Sequence, residues 1–223
     1  MIVIATNNGH RFLPDLVPAL ERLGTGGHEV LLVDTGSSDP RTLDLLEELE
    51  AYEGPLSLRV TRTPYRGYDT GAYIHAYREF PADRYIFLQD SLMPRHGGWT
   101  EEFAARFSFG VGVVPWMIFP LTWDSDEQRQ FVCTRFACRQ VPPFGIFGPI
   151  FAAERSALER LDKKGLLNVI PTSKAEQQGM ERGWSLAFFL AEIAVRPIET
   201  AFNHTRLLEH GYPTFEKRLP RRR

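Results

Sequence analysis

Five acids and amides stand where apolar runs of this sequence stop. Thr6-Asn7-Asn8 follows Ile2 to Ala5, Asp34 closes Glu29 to Val33, and Gln89-Asp90-Ser91 closes Tyr85 to Leu88. Arg66 and Asp69 lie in a further loop, Tyr65 to Asp69. Carboxylates, amides and hydroxyls of this kind recognise polar ligands through hydrogen bonds and hold cations through oxygen. The usual phosphate loops are missing. Thr6-Asn7-Asn8-Gly9 is not a spaced glycine loop and no Gly-Lys-Ser/Thr turn occurs, which argues against dinucleotide oxidoreductases and P-loop enzymes.

The elements that must position these groups are legible from punctuation and period. Ile2 to Ala5, Glu29 to Val33, Leu58 to Thr61 and Tyr85 to Leu88 are short apolar runs of strand length. Between them, Leu13, Leu16, Val17, Leu20 and Leu23 recur at helical spacing, with Pro18 predicting a kink or a broken start. Asp39 is placed to cap a second helix, with Pro40 at its first position and Leu43, Leu46 and Leu49 as its buried stripe. Thr70 to Phe80 reads as a third helix. Strands alternating with helices call for an α/β fold, a Rossmann-like, mostly parallel sheet with helices on both faces. Ligands of such sheets sit beyond the carboxyl ends of the strands, where the polar residues above converge.

The second half is less regular. Val111 to Pro115 and Arg196 to Thr200 are strand candidates, and Ser156 to Lys163 and Ala175 to Ala194 helix candidates, the latter interrupted at Gly183. Trp116 to Val132 reads as a loop over a cleft and Pro142 to Ile150 as a glycine-marked segment without period. With 223 residues, 43% of them hydrophobic, one domain is expected over 1–223: a ligand-binding half at 1–91, a second half at 92–210 and a basic tail at 211–223. The net charge of -2 gives no global pull toward nucleic acid, and the tail of Lys217, Arg218, Arg221, Arg222 and Arg223 reads as a solvated charge run. Cys133 and Cys138 are too few for a four-ligand zinc site or a disulfide scaffold and suit a reducing cytoplasm. No apolar stretch of about 18 residues follows the opening strand, so neither a leader nor a membrane span is expected.

Over nearly its whole length the sequence resembles the family 2 glycosyltransferases, which have the GT-A fold. Leu31-Leu32-Val33-Asp34-Thr35-Gly36-Ser37-Ser38-Asp39 is similar to that family's apolar strand, Asp, Gly-Ser and second Asp, the most specific match, and Ile2 to Asn8 to its opening strand and turn. The resemblance implies transfer of a sugar from a nucleoside-diphosphate sugar. Asp34 would read the nucleoside, since a carboxylate can accept two hydrogen bonds from uracil or ribose. Thr6, Asn8, Arg66 and Asp69 would face the donor; Asp69 serves equally as a helix cap.

Gln89-Asp90-Ser91 resembles the Asp-x-Asp segment that shares a divalent ion, Mn²⁺ or Mg²⁺, with the donor diphosphate, but it keeps only the central acid. Either Asp90 holds the ion with His204 and phosphate oxygens, or the ion is weakly held or absent. Arg206 is an alternative source of positive charge. Phe144 to Phe151 resembles the glycine-rich segment on the acceptor side, with Arg155 as its basic neighbour; a plain turn explains the same residues. Glu181, in Met180-Glu181-Arg182, lies where the family has its general base, with Glu176 as the fallback and an exposed helical Glu as the alternative. The acceptor stays open among glycan, protein, small molecule and modified nucleic-acid base. Two other functions compete: a nucleotide- or glycan-binding module of the same fold without turnover, and nucleotidyl transfer on a related scaffold.

Overall fold

The computed structural model describes residues 1–66, 68–119, 123, 125–139, 141, 144–202 and 214–218. Its first half alternates as the apolar runs require: β1 (Ile2–Thr6), α1 (Leu13–Leu23), β2 (Val30–Asp34), α2 (Pro40–Glu50), β3 (Leu58–Arg62), α3 (Tyr68–Glu79) and β4 (Arg84–Gln89). A short strand, β5 (Leu92–Pro94), and α4 (Trp99–Phe107) lead into β6 (Val113–Phe119), α5 (Asp126–Arg135), β7 (Gly145–Glu154), α6 (Arg155–Lys163), α7 (Lys174–Leu190), β8 (Glu199–Phe202) and β9 (Phe215–Lys217).

Seven strands form one sheet in the order β3-β2-β1-β4-β7-β6-β8, while β5 and β9 pair separately. β7 runs antiparallel to both of its neighbours, and every other pair in the large sheet is parallel. Alternation along β1 divides the core. Val3 and Ala5 face Tyr73 of α3 and Trp184 of α7, whereas Ile2 and Ile4 face Leu16 and Leu20 of α1, Leu46 of α2 and Trp99 of α4. Both faces are therefore covered, and burial of each such side chain stabilises by about 1.5–3 kcal/mol. Helix α2 begins as its residues dictate: the Asp39 side chain accepts from the Arg41 N–H at 3.0 Å, with Pro40 at the first position.

The structure corrects four expectations. Helix α1 already starts at Leu13 and carries Pro18 inside it, which removes the broken start, and α7 runs through Gly183, ending at Leu190. Gly183 is there because a Cβ would come within 3.1 Å of Phe136, so the glycine lets α5 and α7 pack closely. The stretch read as a loop over a cleft holds the end of β6 and the start of α5. The glycine-marked segment, for which a plain turn is one of the two readings, is most of β7, a buried strand that bulges opposite Pro115 to Met117 with Gly148 at φ +51°.

Among the described residues no helix is long and apolar enough to cross a membrane, and both cysteines are free thiols.

Candidate functional site

The register of the parallel strands brings the sequence-distant polar residues to one level. Thr6 pairs with Asp34, Ala5 pairs with Gln89, and the Asp90 N–H donates to the Ala5 carbonyl at 3.0 Å. Asp90 thus stands beside Thr6, whose hydroxyl donates to Asp90 Oδ2 at 2.7 Å. Gly9 makes the approach available, since a Cβ at that position would lie 2.7 Å from the same oxygen. A cleft opens above this pair, walled by Asn7, Thr35, Tyr68, Asp69, Gln177 and Lys217.

Helix α7 supplies the far wall from a single stripe. Lys174, Gln177 and Glu181 follow the i, i+3, i+7 spacing of one helical face, and the first two of them line the cleft. Asp69, in the first turn of α3, ties this stripe to the sheet: Gln89 Nε2 donates to one of its oxygens and Gln177 Nε2 to the other. The Gln177 side-chain Oε1 is buried and has no partner among the described residues. Glu181 is partly buried beside the cleft and accepts the Gly148 N–H from the β7 bulge at 3.2 Å. Gly148 in turn lies over Gln89, whose Oε1 would be 3.1 Å from a Cβ on the glycine.

The cleft also holds a lysine that the sequence reading left in solvent. Lys217 Nζ donates to Gln89 Oε1 and, at 2.6 Å, to Ser91 Oγ. Pairing of β9 with β5 places it there, with Leu92 opposite Lys217. Phe215, two residues earlier on the same strand face, anchors the strand by packing among Trp99, Phe103 and Trp116. Arg218 donates its N–H to the Ser91 carbonyl at 2.8 Å and pairs with Asp15. The basic tail is therefore not uniformly a solvated run.

Burial dominates the electrostatics. It pushes Asp90 up to about 6 against the hydrogen bond from Thr6, and Asp69 up to about 6 against the bond from Gln89. Glu181 rises to about 7, again by burial, with the Gly148 N–H opposing and the Asp69 charge adding. Lys217 falls to about 8 by burial, held from falling further by Asp90, Asp69 and Glu181. Three acids and one lysine thus titrate within reach of neutrality, the condition proton transfer at pH 7 requires.

The other sequence-selected residues are placed differently. Asp34 is buried, and its carboxylate accepts from the Ser37 N–H at 3.0 Å and the Ser37 hydroxyl at 2.5 Å; Thr35 beside it, rather than Asp34, lines the cleft. Asn8 takes the left-handed conformation, and its Oδ1 accepts the Ser38 and Asp39 N–H groups, both at 2.9 Å, so it organises the loop before α2. Arg66 is exposed. Glu176 folds back at the start of α7, accepting from the Thr172 hydroxyl at 2.8 Å. Arg155 is at the opposite end of the sheet, donating to the Tyr85 hydroxyl beside the start of β4. His204 and Arg206 lie outside the described residues, as does Arg221 to Arg223 of the tail.

The residues at Gln89-Asp90-Ser91 do not fit a divalent ion. One carboxylate is present, its Oδ2 is bonded to Thr6, and both flanking side chains are bonded to an ammonium that would repel a second cation. Among the described residues, no group of three or more His, Cys, Asp or Glu could hold a metal ion.

Comparison with solved structures decides the architecture. S. aureus TarS 1–349 in complex with UDP-GlcNAc superposes with a TM-score of 0.53 at 14% identity over 91% of this chain. GalNAc-T7 with UDP, GalNAc and Mn²⁺ superposes with a TM-score of 0.51 at 16% identity over 81% of this chain and 39% of that one. The fold is that of the GT-A glycosyltransferases. CMP:2-keto-3-deoxy-manno-octonic acid synthetase complexed with CTP has a related arrangement, at a TM-score of 0.53 and 19% identity over 90% of both chains. The GT-A-like chain described here spans 58% of the TarS 1–349 structures. No family model and no curated protein matches its sequence.

Proposed function

We propose that the protein transfers a glycosyl group from a nucleoside-diphosphate sugar to an acceptor hydroxyl, with inversion and with Glu181 as general base. The observation that carries this reading is the cleft at the carboxyl ends of β1 and β4. There Thr6, Asp69, Gln89 and Asp90 converge, and the buried Gln177 Oε1 lacks, among the described residues, a partner that a ligand hydroxyl or N–H would supply. UDP-GlcNAc, UDP and CTP in the GT-A-like neighbours add weight to a nucleotide ligand.

In this reading the nucleoside lies toward Asn7 and Thr35, with Asp34 acting through the loop it holds rather than by direct contact. The acceptor approaches from the β7 bulge. Its oxygen forms a bond to the anomeric carbon from the face opposite the diphosphate, the bond to the diphosphate oxygen breaks with its electron pair, and the acceptor proton passes to Glu181. A group held near pH 7 is suited to that proton transfer in a way an exposed Glu is not. Residues 1–91 would supply the nucleotide side of the cleft, completed by Gln177 and Lys217, and residues 92–210 the acceptor side, within one domain, in the cytoplasm, where the two free thiols are at home.

One observation favours the module without turnover: Asp69, Gln89 and Ser91 spend their hydrogen bonds on one another, on Gln177 and on Lys217. Nucleotidyl transfer is favoured by the match in length to the CTP-bound synthetase. A panel of nucleotide-sugars, assayed for hydrolysis and transfer with and without Mn²⁺ or Mg²⁺, separates the three. Turnover of a donor supports the proposal, binding without turnover supports the module, and diphosphate release from CTP with a sugar acid supports nucleotidyl transfer. Absence of any thermal response to nucleotide-sugars would refute donor binding.

A further inference from the structure

We propose that the Lys217 ammonium is the cationic group that receives the phosphates of a nucleoside diphosphate in this cleft, so that nucleotide binding does not depend on a divalent ion. The inference deepens the proposed function and rests on it for the class of ligand.

Position is the first support. Lys217 bonds to Gln89 and Ser91, the two residues that flank Asp90 at the carboxyl end of the central strand. An ammonium has three donors, and these two acceptors use two of them, which leaves one to offer a phosphate oxygen. The second support is construction. Lys217 is not a loose surface lysine: Phe215 is buried at 1% exposure, the Thr214 carbonyl accepts from the Arg95 N–H at 3.0 Å, and the Arg218 N–H is bonded to the Ser91 carbonyl. The strand that carries the ammonium is thus fixed on either side of it.

Charge is the third support. Asp69 and Asp90 line the cleft and would repel an anion, and among the cations on its wall Lys217 is the one bonded beside Asp90, while Lys174 is exposed and Arg218 is paired with Asp15. Among the described residues, Lys217 is therefore the cation built in beside Asp90 where a diphosphate would enter. The donor set at Gln89-Asp90-Ser91, poor for a divalent ion, is well matched to an ammonium, because an amide oxygen, a hydroxyl and one carboxylate accept hydrogen bonds without demanding octahedral geometry.

The test is calorimetric titration of the full chain with UDP, CDP, GDP and ADP, in EDTA and again with Mn²⁺ or Mg²⁺. The expected result is that at least one nucleotide binds in EDTA, and that Lys217→Met weakens it by about 10- to 100-fold, the range of a hydrogen bond to a charged group. Binding of the matching nucleoside should be unchanged in that variant, and Lys217→Arg should keep most of the nucleotide affinity. Unchanged nucleoside binding also certifies that the Met variant is folded. Binding seen only with the ion, or undiminished in Lys217→Met, overturns the inference while leaving glycosyl transfer standing. Binding in EDTA through Lys217 with no turnover of any sugar donor supports the inference and sinks the transfer reaction. No binding under either condition overturns both.

Discussion

Replacement of Glu181 by Gln tests the site in two independent ways, because the same burial that would make Glu181 a base also makes it a burden on the fold. Its carboxyl goes from an ordinary 4.5 to about 7 on folding. Between those values the unfolded chain has released this proton while the folded chain still keeps it, so stability falls as pH rises through that window. It is level below pH 4.5 and level again above pH 7. At about 1.4 kcal/mol per pH unit, the full loss is on the order of 3 kcal/mol. Glu181→Gln removes that loss, so at pH 8 the variant should be more stable than the parent by up to about 3 kcal/mol, or roughly 6–12 °C in Tm for a chain of this length. At pH 4.5 or below the two should nearly coincide. Asp69 and Asp90 give slopes of the same sign in both proteins, so the informative quantity is the difference between the two curves. Urea unfolding at pH 4.5, 6 and 8 measures it. Turnover should drop by about 10²- to 10⁴-fold, the contribution of a positioned base, with donor affinity retained. A stability difference that does not vary with pH would refute the burial argument, and turnover within a few-fold of the parent would refute the base.

Three further outcomes follow from the same geometry. The kcat/KM of the parent should rise with pH through about 7 as Glu181 loses its proton, and a rising limb near 4.5 would assign the base elsewhere. Gly148→Ala should destabilise by roughly 1–2 kcal/mol, because Gly148 has a φ of +51°. It should also lower donor affinity, since its Cβ would press on Gln89; an unaltered unfolding midpoint would show that the bulge relaxes freely. Phe215→Ala should cost about 3–5 kcal/mol by emptying the space between Trp99, Phe103 and Trp116. A loss below about 1 kcal/mol in urea unfolding would mean that β9 is not anchored through that ring.

The first half of the fold was legible because parallel strands covered on both faces are written as uninterrupted apolar runs, such as Val30 to Val33, and each is stopped by a polar residue at its functional end. That rule selected Thr6, Gln89 and Asp90, and the placement of ligands beyond the carboxyl ends of the strands added Asp69 from the next loop; the cleft brings all four together. It also selected Asp34, whose side chain serves its own turn, since a pattern of strand ends does not tell a ligand-facing carboxylate from a loop-holding one. In the second half, glycine and proline in β7 mimic turn signals, yet Gly145 and Gly148 serve a buried strand with a bulge. The signal for α4 was present in the i, i+4, i+8 spacing of Trp99, Phe103 and Phe107, and that for the helical side of the cleft in Lys174 and Gln177, with Glu181 one turn further along the same face.

Lys217 is illegible for a different reason. Nothing local marks it: three residues of strand in a basic tail fall below any periodic test, and its partners Gln89 and Ser91 are 128 and 126 positions away. What marks it is the chemistry it completes. A sheet end that gathers Asp69 and Asp90 in a partly dehydrated cleft, with Glu181 close enough to act on Lys217, repels phosphate unless a cation is built in, and burial acts on the two kinds of group in opposite directions, raising the acids to about 6 or 7 and lowering the lysine to about 8. Their ionisation is then mutually dependent, since each charged acid favours the ammonium and the ammonium favours each carboxylate. The lone Asp90 of Gln89-Asp90-Ser91 is consistent with this: amide and hydroxyl flanks accept from an ammonium without the additional negative charge that two more carboxylates would place against an incoming diphosphate.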